Sequence, residues 1–471
     1  ALVVLLLHPG SLWDASFQFS FSAVFAIFYL VKRFDKLFSK DLNGGITKER
    51  NRALDWLTYR IRSLIFITVA SSIATLPLSI YHFNNLPILG VPLNLIVVPI
   101  ASLIIVPLSL VSILMLPISE ALATILLSID SIIIETLARL IKAVSKPGWS
   151  NLKVSTISLV EIASFYLIIF TLFNIRKKRY LLYALPLLLI GLVYPTVSSY
   201  YQKITNDELR VTFLNVGQGE ASFLEFPGGK TMLIDGGGTF QSGFDMGERV
   251  ISPFLRKRRI RKIDYLVLSH AQRDHKGGLS YVARSFKIGE FWYNGKGKIP
   301  TLANALEIKN SPTIIMDSST KPIDINGVQV RILNPPDKKN TESTQNLNES
   351  SLVLKFIYKE KSILFTGDIG FEAEALLKNS IDLDADILKA PHHGSRYSSS
   401  AVFLENVSPG VVVISSGFKN SYGFPHKEAL DRFFDIDAQV FRTDLDGAIE
   451  AVIDGTEIEF KIYGQGKKIL P

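Results

Sequence analysis

The sequence contains no cysteine among its 471 residues. It therefore cannot form a disulfide bond, and no thiolate is available to bind a metal ion. Charged residues are also scarce before about residue 198, where Leu, Ile, Val, Phe and Ser dominate. That scarcity excludes an ordinary water-soluble domain for the first part of the chain.

A recognisable signal peptide is missing as well. The chain opens at Ala1 inside an apolar run, with no basic segment before that run and no small-residue cleavage site after it. We therefore expect a chain that is truncated at its N-terminus, and we do not interpret the first apolar run as a secretion signal.

The composition indicates two domains. The chain is too long for one ordinary domain, and its mean hydropathy is positive, which is unusual for a soluble protein of this size. We predict a membrane domain at residues 1–197, a linker at 198–205 and a soluble domain at 206–471. The formal net charge of +8 is modest and becomes informative only through the positions of the basic residues.

Six apolar segments approach the roughly 20 residues that a helix needs to cross a bilayer. They are residues 15–32, 63–82, 89–117, 120–143, 156–173 and 180–197. Lys and Arg concentrate between the first two segments and again at residues 176–179. Because cytoplasmic loops collect these residues, both places are predicted to be cytoplasmic, and the last span then leads outward. The soluble half is therefore expected on the extracytoplasmic side.

Polar and helix-breaking residues occur at membrane depth. Three prolines and an asparagine interrupt residues 91–107, which indicates either a substrate path or a kinked helix packed against its neighbours. Asp130 and Glu135 lie within the fourth segment. Ionisable groups at that depth suggest a function, unless the segment lies flat on the membrane surface.

In the soluble half, three short segments rich in His and Asp each follow an apolar run typical of a buried strand. They are SHAQRDHKGG at 269–278, FTGD at 365–368 and KAPHHGS at 389–395. Strands and helices alternate through this half, which predicts two sheets sandwiched between helices. The His and Asp side chains would then meet where the strands end, which is where α/β-type enzymes place metals.

We predict that these segments bind one or two divalent ions, Zn or Mn, because imidazole and carboxylate groups are suitable ligands for both. The predicted ligands are His270, Asp274, His275, Asp368, His392 and His393, with only one of the last two required. Asp368 can bridge two ions, and Asp235, after a Gly-rich turn, can orient a ligand from behind. A bound ion lowers the pKa of water toward 7, which provides a nucleophile for hydrolysis.

Several motifs carry a resemblance to a known family. They are LNVGQGEA at 214–221, LIDGG at 233–237, the three segments above, ISSG at 414–417 with Asn420 and His426 after it, TDLDG at 443–447, and FQFS at 17–20 and NLIVVP at 94–99 in the membrane half. The soluble half resembles a metallo-β-lactamase-fold hydrolase, an α/β protein with an αββα sandwich. The whole chain resembles the ComEC family of DNA-uptake channels of natural competence.

Some positions depart from the pattern that the resemblance implies. Gln272 stands where the family usually has an Asp ligand, and Phe424 where it usually has a His; Asn215 and Glu220 replace two frequent Asp residues. The site around His270 is therefore expected to be weakened. One-metal activity, altered metal preference and loss of hydrolysis are all open at this point.

The resemblance implies transport of single-stranded DNA across the bacterial inner membrane, with a nuclease or phosphodiesterase domain outside and other competence proteins as partners. Asp274 would act directly in catalysis, with Asp235 and His426 in support. The predicted substrate-binding residues are Arg256, Lys257, Arg258, Arg259, Arg396 and Asn420. The basic run 256–259 could equally be a solvated helix end. Tyr397, Tyr422 and Phe424 could stack on bases or simply pack.

Two other functions are compatible with the sequence. The first is a membrane-anchored hydrolase of a non-DNA phosphodiester, which salt-sensitive DNA binding by the soluble domain would argue against. The second is a catalytically decayed module that still binds DNA, for which Gln272 and Phe424 would be the signs. Metal content and turnover distinguish that module from an enzyme.

Overall fold

A computed structural model describes residues 2–38, 52–146, 150–175, 178–238, 243–337, 346–378 and 383–464. The chain separates into two compact units, Ala1–Thr196 and Val197–Pro471. The basic residues predicted to be cytoplasmic fall partly outside the described residues, at 39–51 and 176–177. The predicted linker is helical as far as Ile204.

The first unit is built from helices and one short pair of strands. The helices are α1 (Leu2–Leu7), α2 (Ala15–Phe38), α3 (Arg52–Phe83), α4 (Gly90–Ile100), α5 (Val106–Met115), α6 (Glu120–Ser145), α7 (Leu159–Asn174) and α8 (Lys178–Ile204), the last of which extends into the second unit. A π-helical turn, Ala101–Ile105, joins α4 to α5, with Pro99 and Pro107 near its ends. Strands β1 (Asn85–Pro87) and β2 (Asn151–Lys153) pair antiparallel.

Five helical segments among the described residues are long and apolar enough to cross a membrane. They are Ala15–Lys36, Thr58–Phe83, Gly90–Met115, Glu120–Ser145 and Arg179–Ile204. The remaining predicted span, 156–173, corresponds to α7, which is shorter, at 16 residues. Helices α2 and α3 pack through small residues, Ala26 against Ala70 and Ala74, which allows the close backbone approach typical of membrane helices.

Asp130 and Glu135, the two acidic residues noted at membrane depth, have different surroundings in α6. Asp130 is only 3% exposed and accepts a hydrogen bond from the Ser109 hydroxyl of α5. Glu135 is exposed and pairs with Arg139 one turn later, at 2.7 Å. Asp130 therefore belongs to a contact between helices α5 and α6, whereas Glu135 lies on an open face.

The second unit contains two sheets. Its strands are β3 (Leu209–Phe213), β4 (Ser222–Glu225), β5 (Thr231–Ile234), β6 (Lys262–Leu268), β7 (Lys287–Tyr293), β8 (Thr313–Ile315), β9 (Ile323–Ile325), β10 (Val328–Asn334), β11 (Val353–Tyr358), β12 (Lys361–Phe365), β13 (Ile387–Lys389), β14 (Val411–Ile414), β15 (Gln439–Arg442), β16 (Ile449–Ile453) and β17 (Ile458–Ile462). One sheet has the order β17-β16-β3-β4-β5-β6-β7-β8, and the other β15-β14-β13-β12-β11-β10-β9.

Eight α-helices among the described residues accompany these strands. They are α9 (Ser252–Lys257), α10 (Arg273–Lys276), α11 (Leu279–Ser285), α12 (Pro300–Ile308), α13 (Phe371–Leu377), α14 (Ala401–Val407), α15 (Lys427–Asp435) and α16 (Thr443–Asp446). Helices α9, α11 and α12 pack on the outer face of the first sheet, and α13, α14 and α15 on that of the second. The unit is therefore an αββα sandwich, as predicted.

The central core lies between the two sheets because their strands alternate buried and less buried residues. Strand β10 is a clear case: Val328, Val330 and Ile332 are buried and the residues between them are partly exposed. Phe213 and Phe365, from opposite sheets, have ring centroids 5.7 Å apart. Burying one such side chain stabilises the fold by about 1.5–3 kcal/mol, so this interface holds the sheets in a fixed register.

Candidate metal centre

The functional side chains follow the carboxyl ends of parallel strands in both sheets. Asp235 follows β5 and His270 follows β6, which pair in parallel. Asp368 follows β12 and His393 follows β13, a parallel pair in the other sheet. Because parallel strands end at the same edge of a sheet, the sandwich brings both sets of side chains to one place.

Four of the predicted ligands form a tight cluster. The ligand atoms of Asp274, His275, Asp368 and His393 all lie within 4.8 Å of one another. His275 Nε2 is 3.2 Å from one Asp368 oxygen, and His393 Nε2 is 3.4 Å from the other. His393 Nε2 also lies 3.5 Å from Asp274 Oδ2.

The polar atoms at the centre of this cluster fit a metal ion. His270 Nε2, His275 Nε2, His393 Nε2 and both Asp368 carboxylate oxygens are buried and have no hydrogen-bond partner among the described residues. Leaving one buried polar group unsatisfied costs about 1–3 kcal/mol, and more if it is charged. Two imidazoles and two carboxylates are a suitable donor set for Zn or Mn. The residues present therefore fit a divalent ion.

Asp235 fixes the orientation of His275. Its Oδ2 accepts hydrogen bonds from His275 Nδ1 at 2.7 Å and from the Ser269 hydroxyl at 2.7 Å, and its Oδ1 accepts from the Ser269 amide at 2.8 Å. The proton of His275 is therefore on Nδ1, and the lone pair of Nε2 points into the cluster. From this position Asp235 can hold the His275 ring in the orientation that a metal ligand needs.

His393 is oriented in a similar way by main-chain geometry. Its Nδ1 donates to the Ser415 carbonyl at 2.9 Å, which leaves Nε2 free to act as a ligand. His392 and His393 both have a left-handed backbone, with φ of 48° and 54°. Such backbone conformations cost energy outside glycine and are found where a site requires them.

The charges of the cluster shift its pKa values strongly. Although burial opposes the charged forms, Asp368 and Asp235 raise the pKa of His275 well above its usual value, and mainly Asp368 raises that of His393 to about 9. Despite its burial, the pKa of Asp368 is held well below its usual value by His275 and His393. Asp274 is also buried, but His393, whose Nε2 lies 3.5 Å away, and the charge of His275 lower its pKa to about 2. A divalent cation would replace the protons on the two imidazoles.

The second predicted subsite is less complete. His270 Nε2 and His392 Nε2 lie 4.0 Å and 3.9 Å from Asp368 Oδ2, and neither belongs to the four-residue cluster. Burial, followed by the charge of His275, lowers the pKa of His270 to about 4, so this imidazole is neutral. Gln272 lies at the start of α10 and supplies a neutral side chain. Of the two adjacent histidines, the structure places His393 in the cluster.

A buried ion pair that lies next to the cluster was not predicted from the sequence. Lys389 and Glu220 are almost fully buried, and Lys389 Nζ donates to Glu220 Oε2 at 2.9 Å. The amide of Glu220 donates to the carbonyl of Asp274, at a place where a Cβ on Gly219 (φ 135°) would lie 2.4 Å from that oxygen. The pair therefore links the glycine-rich loop to the strand that leads into the two histidines. The sequence offered one signal for this ion pair: Lys389 is a charged residue at the end of an apolar run typical of a buried strand, where it needs an acidic partner.

Three of the four residues in the basic run 256–259 interact with other residues of the structure. Arg256 is buried, donates to the Ser252 hydroxyl at 3.1 Å and lies over the Phe286 ring. Arg258 pairs with both Glu225 and Glu450, and Arg259 also has interactions within the structure. Lys257 is exposed, whereas Arg258 and Arg259 are partly buried. We therefore do not retain Arg256 or Arg258 as substrate contacts.

The three predicted residues beside the histidines have different surroundings. Arg396 is 45% exposed and reaches Glu428 at 3.4 Å, and its amide donates to His426 Nδ1 at 3.1 Å. Burial, together with the charge of Arg396, lowers the pKa of His426, which is therefore neutral near pH 7, with its proton on Nε2. Asn420 uses its amide for four hydrogen bonds to its own loop, which indicates a structural role.

The sequence is similar to known families over both units. The Competence protein family matches residues 1–179, and the Metallo-beta-lactamase superfamily matches residues 214–417. ComE operon protein 3 of Bacillus subtilis (strain 168) is 27% identical over 491 residues, which cover 98% of this chain and 58% of that protein. Competence protein ComA of Neisseria gonorrhoeae is 31% identical over 261 residues, 54% of this chain and 34% of that protein. The chain thus spans between a third and three fifths of the length of these relatives.

Solved structures are similar to about half of the chain. The metallo hydrolase Igni18 of Ignicoccus hospitalis covers 51% of this chain and 98% of its own, at 16% identity and a TM-score of 0.36. The metallo-beta-lactamase fold protein YhfI of Bacillus subtilis covers 52% and 100%, at 11% identity and a TM-score of 0.36. The family match of the second unit agrees with its αββα sandwich, so the expected fold class is confirmed.

Proposed function

Because this chain belongs to the ComEC-type competence proteins, which join a membrane domain to a metallo-β-lactamase domain, we propose that it takes part in DNA uptake. Its membrane helices contribute to a path for single-stranded DNA across the bacterial inner membrane. Its second unit is a metal-dependent nuclease or phosphodiesterase. Its partners are single-stranded DNA, membrane lipid and other competence proteins.

One observation supports the enzymatic part most strongly. Buried, unpartnered atoms of His275, Asp368 and His393 converge on one point, beside the carboxylate of Asp274. We assign these four residues as the ligands of one divalent ion, and His270 and His392 as the incomplete set for a second. When bound, the ion supplies Lewis-acid chemistry, because it polarises a phosphoryl oxygen and makes water more acidic.

The other residues of the site orient the ligands and bind the substrate phosphate. Asp235 keeps the proton of His275 on Nδ1, and the Ser415 carbonyl does the same for His393. Arg396 binds a substrate phosphate, because its exposed pair with Glu428 is worth only about 0.2–1 kcal/mol and is easily exchanged. His426, neutral with its proton on Nε2, donates a hydrogen bond to an oxygen of the substrate phosphate.

The activity is tested with the whole chain in detergent micelles. Single-stranded DNA is incubated with Mn or Zn, and the Asp274→Ala variant is compared with Asp431→Asn, which changes an exposed carboxylate on α15. We expect metal-dependent cleavage that only Asp274→Ala abolishes. DNA binding without cleavage would indicate a non-catalytic DNA module instead. Neither binding nor cleavage would favour a hydrolase of another phosphodiester.

We also propose that the second unit is extracytoplasmic, because Lys and Arg collect before α3 and at residues 176–179. The lack of cysteine makes this simple to test, since one introduced cysteine is then the only thiol. In intact cells, a membrane-impermeant maleimide should label Lys321→Cys, which is exposed in the second unit, but not Lys36→Cys on α2. The reverse pattern would contradict the proposed orientation.

A further inference from the structure

A series of rings leads from the metal centre to the surface of the second unit. His393 is buried, His392 is partly exposed, and both contact Phe424, with ring centroids 6.0 Å and 5.6 Å away. The next ring is Tyr422, stacked on Phe424 at 5.6 Å with 13° between the ring planes. Tyr422 is 49% exposed, so the outer end of the series is accessible to a ligand.

The loop that carries this stack is held in shape from within. The side chain of Asn420 donates to the carbonyls of Gly417 and Phe424 and accepts from the amides of Tyr422 and Phe424. On its inner side, Phe424 meets the His426 ring edge to face at 5.0 Å. The stack is therefore positioned before any ligand binds, so that binding does not have to order the loop.

The chemistry of these surroundings indicates what would bind there. A flat, apolar and half-exposed surface attracts another flat π system, and base–aromatic stacking tolerates every nucleobase. The metal ligands lie at the inner end of the stack. Two exposed cationic side chains are close in the chain, Lys419 on the same loop and Arg396 on the loop that follows the histidines. A nucleotide with its phosphate at the metal centre would thus have its base beside the rings.

We propose that the stacked pair Tyr422–Phe424 is a nucleobase-binding subsite that holds an unpaired base of single-stranded nucleic acid next to the phosphate at the metal centre. This subsite rests on the proposed phosphodiesterase function. It gives Phe424 a role, because a phenyl ring extends the stack inward to the histidines. It also explains Asn420 as the residue that holds the stack in place.

The test measures binding to strands with and without bases. Fluorescein-labelled oligothymidylate and an abasic strand of the same length, both with phosphorothioate linkages that resist cleavage, are titrated with the whole chain in detergent micelles in the presence of Mn. We expect the wild type to bind oligothymidylate about 5- to 100-fold more tightly than the abasic strand, the range typical of stacking on one aromatic site. Tyr422→Leu should remove most of this ratio by weakening oligothymidylate binding alone.

Two further variants serve as controls. Phe424→Leu should act like Tyr422→Leu, whereas Phe418→Leu, which changes an exposed ring of the same loop outside the stack, should keep the wild-type ratio. A wild-type ratio near one, or a ratio unchanged in Tyr422→Leu, would overturn the subsite and leave the nuclease proposal standing. A wild type that binds neither strand would overturn the DNA function and the subsite with it.

Discussion

The two units of this chain differ in how much apolar surface they present outward and in how many charged groups they bury. In the five candidate spans, at most 28% of the most apolar stretch is buried within the described structure, and in Arg179–Ile204 none of it is. In the second unit, charged groups such as Lys389, Glu220 and Asp368 are almost completely buried. The first unit thus presents apolar side chains outward, as lipid or further protein requires, whereas the second places charges inside.

This difference shows where each unit is sensitive to substitution. In the second unit a buried charge is tolerated only because a partner, or a metal ion, compensates for it. In the first unit the exposed apolar side chains stabilise the protein through contacts with the lipid or protein around it, and not through contacts within the chain. Equivalent substitutions should therefore have different consequences in the two units.

The largest effect is expected at the metal ligands. Asp368→Ala and His275→Ala should each lower metal occupancy and abolish any hydrolysis, because each removes a central ligand of the cluster. Metal content by mass spectrometry and cleavage of single-stranded DNA are the measurements, with Asp431→Asn as a surface control. Unchanged activity in both variants would show that the site has been assigned wrongly.

The second-largest effect is expected when one charge of the buried ion pair is removed. Lys389→Met should destabilise the second unit by about 3–5 kcal/mol, because it leaves the Glu220 carboxylate buried without a cation. Hydrogen exchange of the peptides that carry β13 and β14 would report the loss.

The double variant Lys389→Met, Glu220→Gln provides the control for this prediction. It removes both charges and should recover much of the lost stability. If the double variant is no more stable than the single one, the pair does not account for the effect.

A third prediction compares the same substitution, leucine to arginine, at one exposed leucine in each unit. Leu187 in α8 is 69% exposed and Leu376 in α13 is 61% exposed. Leu187→Arg should disfavour membrane insertion by about 2.5–3.5 kcal/mol, because the charge would be placed within a span. Leu376→Arg should change stability by less than about 0.5 kcal/mol, as surface substitutions usually do. A membrane-insertion assay and thermal unfolding measure the two effects, and equal tolerance of both would argue against α8 as a span.

The smallest effect compares two serines that donate to a buried aspartate. Ser109→Ala removes the donor to Asp130 between α5 and α6 and should cost about 0.6 kcal/mol, the average for hydrogen bonds between membrane helices. Ser269→Ala removes a donor to Asp235 and should cost about 1.5–3 kcal/mol, because the acceptor is a charged group inside a water-soluble fold. Thermal unfolding of both variants gives the comparison, and a larger cost for Ser109→Ala would reverse it.

Much of the architecture could be predicted from residue patterns alone. Long apolar runs predict the spans because only a helix satisfies its own backbone in lipid, and the strands before the His and Asp segments could be read from short apolar runs ended by glycine. The predicted run 63–82, for example, lies within α3. The ligand types followed from the chemistry of imidazole and carboxylate groups.

Other features depended on contacts that are distant in sequence. Arg256 and Arg258 look like a basic patch in the sequence, but Phe286, Glu225 and Glu450 bind them within the fold. The choice of His393 over His392 depends on the Ser415 carbonyl, 22 residues away. Local patterns do not contain this information, because the partner of a side chain is decided by how strands from two sheets come together.

The sequence by itself determined the division into an apolar and a mixed half, the residue types available for a metal, and the strands that precede them. These depend on local periodicity and on side-chain chemistry. Only the tertiary structure decided which ligands converge, that Lys389 neutralises Glu220, and that Tyr422 and Phe424 form a stack next to the histidines. The reason is physical: burial, charge compensation and ring contact are properties of pairs of residues, and the fold sets which pairs meet.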